Sequence, residues 1–318
     1  MRTWLTERFG LTVPVVGAPM ARASGSELAT AISAAGALGM IGVGGGTKPE
    51  WIREQAARVA ASGRPYGIGL MAWALPRVPE QIDAVLDAHP ALVSVSFGDY
   101  SSTVDRLRDA GITVATQAGT VADARAAEDA GVDLIVARGG EAGGHGRDAV
   151  ATLPLLQGIL DAVDTPVLAA GGIATARGLA AVLAAGAAGA WVGTAFLACR
   201  ETATSAAKKR RLVETEETGT AYSTTFDAAS GLGWPEEFGG RAVRNAFFDR
   251  WVGREAELAE DPGARAEFAA AWDNDDLDTT SLYAGQGVGL LTSERSAAEV
   301  VADFADAERL LREAADRL

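Results

Sequence analysis

Short apolar runs recur along the chain from Val13 to Gly193, each followed by a stretch of helix-forming composition. Val13–Gly17, Gly39–Val43, Tyr66–Leu70, Leu92–Phe97, Ile112–Ala118, Val132–Ala137, Pro166–Ala170 and Ala190–Gly193 read as strands. They are nearly continuous in Val, Ile, Leu, Ala and Gly rather than alternating with polar residues, the pattern of strands buried on both faces. Between them, Ser24–Ala35, Pro49–Ala61, Pro79–Ala88, Ser102–Ala110, Thr120–Ala130, Leu153–Val163 and Ala174–Ala185 read as helices. Ser24 or Ser26 is placed to cap the first, and Gly36, Gly111, Gly131 and Gly186 sit where helices stop. Strands that alternate with helices pair in parallel through right-handed crossovers. The count of eight favours a closed (β/α)8 TIM barrel over a doubly wound open sheet.

After Thr202 the rhythm changes. Thr204–Glu216 reads as a helix, Thr218–Trp251 as irregular, Arg254–Asp278 as acidic and helical, and Tyr283–Leu291 as a loop able to return to the barrel mouth. Ala297–Leu318 reads as one terminal amphipathic helix. The expected organisation is a barrel over residues 1–201, a helical cap over 202–292, and a terminal helix over 293–318 packing back on the barrel.

Composition narrows the function classes. Of 318 residues, 48% are hydrophobic, and the net charge of −14 leaves no basic footprint for nucleic acid. The one basic cluster, Lys208–Arg211, is followed by Glu214, Glu216 and Glu217 and reads as a solvated helix face. The single Cys199 excludes an internal disulfide and suits a reducing compartment. Arg2, Glu7 and Arg8 precede any apolar run, so no signal peptide is expected. Gly178–Ala198 comes nearest to a membrane span but breaks into helix, turn and strand. A cytoplasmic location is expected.

The chemistry concentrates at one end of the predicted barrel. Gly17–Met20, Gly44–Gly46, Leu70–Trp73, Gly98–Tyr100, Gln117–Gly119, Gly139–His145, Gly171-Gly172 and Gly193-Thr194 all follow strands, whereas the opposite ends carry ordinary Ala-Gly turns. The strand-following rim is where barrels of this kind place their sites. Leu134–Arg147 is the richest of these stretches: an apolar strand, then five glycines, Glu141 and His145. Glycine lets backbone amides approach a ligand, and histidine moves protons near neutral pH. Glu141 is a partner of His145, a remote charge or an acceptor stapling the loop. The other histidine, His89, precedes a proline at a helix end and reads as solvated. Ala170–Thr175 runs strand, double glycine, helix start, and Gly193-Thr194 follows the last strand similarly. Bare amides and a helix dipole there suit a phosphate, with Arg177 either helping or merely exposed. Two distant histidines and one cysteine make no metal set, so none is expected. Gly42–Gly46 lacks the spacing of a dinucleotide fingerprint, and no serine lies in a nucleophile-elbow pattern. Trp73, Tyr100, Trp234 and Tyr283 either line the substrate pocket or pack between barrel and cap.

Gly17-Ala-Pro-Met20, Gly139-Gly-Glu-Ala-Gly-Gly-His145, Ala169-Ala-Gly-Gly-Ile173 and Gly193-Thr-Ala-Phe-Leu197 together resemble the nitronate monooxygenase family. The likeness runs from about Val13 to Ala198, with a fainter echo in Arg244-Asn245 and Ala284-Gly285-Gln286-Gly287. The Glu-Ala-Gly-Gly-His string is shared with flavin-dependent enoyl-ACP reductases of the same superfamily. The resemblance implies a TIM barrel holding FMN, with His145 beside the flavin as catalytic base. It implies that Ala18, Pro19 and Met20 line the flavin ring, and that Gly143 and Gly144 meet FMN in the histidine loop. Gly171, Gly172, Trp191, Val192, Gly193 and Thr194 would hold the phosphate, and Gly69, Gln117 and Arg138 complete the expected cofactor set. Gly69 and Arg138 depart from the family's usual asparagine and glutamine. The implied reaction is oxidation of alkyl nitronates by O2 to a carbonyl compound and nitrite. The partners implied are a small-molecule substrate and O2, with no nucleic acid and no membrane. The alternative is an NAD(P)H-dependent flavin reductase of quinones or enoyl thioesters, and a third reading is a barrel that binds flavin without turnover.

Overall fold

The computed structural model describes residues 1–317, so Leu318, the last residue of the expected terminal helix, lies outside it. Eleven strands occur among the described residues: β1 (Val15–Gly17), β2 (Gly39–Gly42), β3 (Tyr66–Met71), β4 (Leu92–Ser96), β5 (Thr113–Ala118), β6 (Leu134–Arg138), β7 (Gly144–His145), β8 (Val167–Ala170), β9 (Gly189–Val192), β10 (Thr220–Ser223) and β11 (Gly240–Val243). Eight of them form a parallel sheet in the order β1-β9-β8-β6-β5-β4-β3-β2. The cylinder closes where Gly17 N donates to Leu38 O (2.8 Å) and Leu38 N to Val15 O (3.0 Å). The expected TIM barrel is therefore present, with a helix after nearly every strand.

Burial on both faces follows from the pleat, which sends alternate residues to opposite sides. Val16, Met40, Leu92, Leu134, Val136, Leu168 and Trp191 fill the barrel interior. Their neighbours Val15, Ile41, Val93, Ile135, Val167 and Val192 pack outward against the helices. Gly36, Gly111, Gly131 and Gly186 all have positive φ, as the end-of-helix turns demand. A helix ahead of the first strand went unread in the sequence. Trp4–Phe9, capped by Thr3, inserts Leu5 into the interior cluster and closes the barrel floor. The first barrel helix begins at Ser26 behind Gly25, and its N-cap makes no side-chain bond. The Ser24 hydroxyl instead accepts from Met20 N (2.7 Å), fixing the β1 loop.

The segment Thr218–Trp251, expected to be irregular, is not. It holds β10, β11 and the helices Thr225–Ser230 and Ala246–Trp251. β10 and β11 are antiparallel, and β7 from the histidine loop joins them in a three-stranded sheet ordered β10-β11-β7. The cap is thus mixed rather than helical. Behind this sheet Phe226, Phe247, Phe248, Trp251, Leu258 and Phe268 form their own core. The terminal segment is two helices, Ala297–Ala305 and Ala307–Ala315, with Asp306 between them receiving Arg309 (2.8 Å). Both pack back on barrel helices.

Cys199 is buried, its sulfur facing Ala195 O, and burial pushes its thiol up to about 12. A thiol reagent at neutral pH is expected to label the native protein negligibly and to react in step with unfolding; rapid native labelling counted by mass spectrometry would contradict this burial. Among the described residues no helix is long and apolar enough to cross a membrane, and no group of three or more metal-ligating side chains is present.

Candidate active site

The pleat that fills the barrel also sets its upper rim. Continuing the inward positions one step beyond the core brings Ala18, Gly69, Gln117 and Arg138 to the axis at the strand ends, with Trp191 just below. The expected site residues therefore share one end of the cylinder. Trp191 and Val192 are placed differently from the other phosphate candidates. The Trp191 indole packs in the interior cluster, and Val192 faces the helix layer. Both side chains are buried.

The histidine loop is held from below by a buried cation. Arg138 is 3% exposed, and its guanidinium donates to the carbonyls of Ala142 (3.1 Å), Gly143 (3.3 Å), Gly144 (2.8 Å) and Arg147 (3.2 Å). Burial lowers its pKa to about 10, which leaves it cationic at neutral pH. The Arg138 charge, placed in the expected cofactor set, is thus directed into the loop's own carbonyls. Glu141 accepts from Thr152 N and from the Thr152 hydroxyl, both at 2.7 Å. Of the three roles open to it, the stapling acceptor is the one the geometry displays. Arg241 on β11 donates to Gly140 O (2.6 Å) and pairs with Asp148 (3.1 Å). The Tyr222 hydroxyl donates to Gly146 O (2.9 Å) and accepts from Gly239 N (2.9 Å).

This framework fixes His145 at the edge of the three-stranded sheet, opposite Gly240. Its Nε2 lies 2.7 Å from Asp227 Oδ1, and the two side chains are 10% and 12% exposed. Asp227 stands in the first turn of helix Thr225–Ser230, where the helix dipole favours a carboxylate. The Tyr283 hydroxyl faces Asp227 and Ser281; burial first, and that carboxylate second, push the phenol well above its usual range. The imidazole stacks flat on Trp234, with centroids 3.6 Å apart and planes at 1°. Trp73 (5.1 Å) and Phe97 (5.3 Å) adjoin Trp234, and Phe238 adjoins Phe97 (5.5 Å). Phe97 has φ of 69°, uncommon for an aromatic residue, and this turn brings its ring to the wall. The Trp73 indole N–H is buried without a partner among the described residues. Of the four aromatics named from sequence, Trp73, Trp234 and Tyr283 gather at His145. Tyr100 packs against the barrel–helix layer with its hydroxyl toward Thr116. His89 is distant from the rim, its Nε2 at 2.9 Å from Ala110 O.

Asp227 is the residue sequence reasoning missed. It lies 82 positions from His145, in the stretch read as irregular. The alternation in Thr220-Ala-Tyr-Ser and Gly240-Arg-Ala-Val is too short to announce two strands.

The second half of the site is a cradle of main-chain amides. Gly171 and Gly172 both have positive φ, turning β8 into helix Ala176–Ala184. The amides of Gly172, Ile173, Gly193 and Thr194 donate to no carbonyl or side chain among the described residues. Open amides at a helix start suit a phosphate dianion, so the residues present fit the phosphate of the expected cofactor. Arg177 is exposed. A Cβ on Gly193 would lie 3.6 Å from Ala18 Cβ and Met20 Sδ, joining the cradle to the β1 loop. The segment Ala284–Gly287 closes over it: Gly285 N donates to Thr194 Oγ1 (2.9 Å) and Gln286 N to Glu141 O (2.9 Å). Gly143 is pressed against the Ala284–Gly285 backbone, leaving no room for a side chain. Gly144 has positive φ and open space around it.

Gly69 has a local cause. A Cβ there would fall inside the Pro19 ring, so the glycine and the seating of Pro19 require each other. Gly69→Ala is expected to cost about 1–3 kcal/mol by overpacking and to displace the β1 loop. Denaturant titration checks the first effect; wild-type stability would show that Pro19 yields freely.

A family model described as nitronate monooxygenase matches residues 71–306. A 5-hydroxy-7a-methyl-1-oxo-octahydro-1H-indene-4-carboxyl-CoA dehydrogenase of Rhodococcus jostii is 36% identical over 63% of this chain and 56% of that protein. The chain thus matches little more than half the length of that relative. A nitronate monooxygenase of Paraburkholderia phytofirmans is 31% identical over 97% of this chain and 95% of that one. Among solved structures, FabK from Thermotoga maritima superposes over 100% of both chains with TM-score 0.86 at 26% identity. The barrel with its glycine-built rim, the histidine loop and these matches place the chain in the nitronate monooxygenase family.

Proposed function

We propose that the protein holds FMN at the barrel mouth and oxidises alkyl nitronates with O2, giving a carbonyl compound and nitrite. One observation carries this reading: a single imidazole, His145, shares a rim with a cradle of unpaired amides suited to phosphate. Gly172, Ile173, Gly193 and Thr194 would hold the phosphate, and Ala18, Pro19 and Met20 would bound the ring. Bound FMN supplies electron acceptance from the substrate and reaction with O2. His145 removes the α-proton from a neutral nitroalkane or orients a nitronate already formed. Trp73, Phe97, Trp234 and Phe238 exclude water from that proton transfer. The unpaired Trp73 N–H is a donor for a substrate oxygen. The partners in this reading are a small molecule and O2.

Purified protein is expected to be yellow and to release nitrite from an alkyl nitronate in air. A colourless preparation that FMN does not reconstitute would sink the proposal. The likeness to FabK and to a carboxyl-CoA dehydrogenase favours a second reading, an NAD(P)H-dependent flavin reductase of quinones or enoyl thioesters. Anaerobic stopped-flow separates the two: bleaching by nitronate supports the first, and fast bleaching by NAD(P)H alone supports the second.

A further inference from the structure

We propose that Asp227 is the positioning residue of the site, holding His145 with its proton on Nε2 so that Nδ1 is the atom that takes the substrate proton. The inference rests on the reading of His145 as a base. It goes further in assigning which ring nitrogen acts and what directs it.

The geometry leaves one arrangement. Nε2 and Asp227 Oδ1 are 2.7 Å apart, and both side chains are nearly buried. An ionised carboxylate has no proton to give, so the hydrogen between them belongs to Nε2, and a neutral imidazole then keeps its lone pair on Nδ1. Asp227 stands in the first turn of its helix, and the Tyr283 hydroxyl faces it. Trp234 covers one face of the imidazole, so substrate meets the ring by its edge. In the step itself, the C–H bond of a neutral nitroalkane breaks and its proton bonds to Nδ1. The electron pair left behind becomes the C=N bond of the nitronate, and the imidazolium formed lies against Asp227. Nothing is oxidised or reduced in this transfer. The same carboxylate therefore orients the neutral ring and stabilises the charge that develops on it. A nitronate supplied ready-made skips the transfer and has no need of Asp227.

The test pairs two substrates with one spectrum. In FMN-loaded Asp227→Asn and Asp227→Ala, kcat/KM for the neutral nitroalkane is expected to fall about 10²-fold or more, and that for the preformed nitronate by less than about 5-fold. Equal losses on both substrates would overturn the proposal, because a merely structural defect does not discriminate. Independently of turnover, ¹⁵N spectra of His145, isolated in a His89→Ala background, are expected to show Nε2 protonated in the neutral ring. The Nε2–H proton resonance, carried far downfield by the short bond to a carboxylate, should move upfield in both Asp227 variants. A neutral ring protonated on Nδ1 in otherwise unaltered protein would also overturn the proposal. If that protein turns over neither substrate, the proposed reaction falls, and the spectrum alone still decides the pairing.

Discussion

His145→Ala is expected to lower turnover of a neutral nitroalkane by about 10²–10⁴-fold, the usual worth of a positioned general base, and to leave bound FMN near wild-type stoichiometry. The two halves of that expectation come from separate parts of the rim. The proton carrier hangs from β7, stacked on Trp234 and tied to Asp227. The phosphate cradle consists of main-chain amides on the β8 and β9 loops, which the imidazole does not touch. Removing the ring opens a hole beside Trp234 without unpinning the loop, because Arg138, Arg241 and Tyr222 grip its backbone rather than its side chains. His145→Asn keeps much of the bulk and offers no base at neutral pH, so it should share the loss. The check is steady-state kinetics on a nitroalkane and its nitronate, with flavin content read from the absorbance of each preparation. A loss of FMN parallel to the loss of rate would mean that the histidine serves binding rather than proton transfer.

The barrel was legible because its signals are periodic and repeated. Runs such as Leu134–Arg138 and Leu92–Ser96 are too apolar to lie anywhere but between two packed layers, and each is bounded by a helix with its own glycine stop. Clustering of the unusual loops at one rim needed only the rule that parallel strands all point the same way. What stayed hidden depends on tertiary pairing. β7 is two residues long and exists because β11 lies alongside it. The short helix Trp4–Phe9 is stabilised by burying Leu5 in the barrel floor rather than by its own length. Asp227 reaches His145 only once the three-stranded sheet has formed. Arg138 shows a different gap: a cation ending a strand at a ligand-binding rim invites the reading of a ligand contact, and nothing local says that four carbonyls will curl over it.

That cation carries the other large expected effect. Arg138→Met should destabilise the protein by about 3 kcal/mol, within the range for removing one partner of a buried charged group. Methionine fills part of the volume and offers no donor, so the carbonyls of Ala142, Gly143, Gly144 and Arg147 would each lose a partner inside the protein. Arg138→Gln restores the residue usual in the family. Its amide has two N–H donors against the five of a guanidinium, so it can serve at most two of the four carbonyls and should fall between wild type and Arg138→Met. Gly146 sets the limit on larger repair, since its backbone lies directly against the guanidinium plane and a Cβ there would strike it. The activity consequence follows from position: a loosened 142–147 turn lets the imidazole drift from Asp227, and small displacements of a catalytic group are expensive. The expected pattern is a drop in kcat on neutral nitroalkane that is steeper for methionine than for glutamine, alongside midpoints in urea ordered wild type, glutamine, methionine. Equal midpoints for all three would mean that water or a rearranged backbone satisfies those carbonyls unaided, and that the buried charge does not hold the loop.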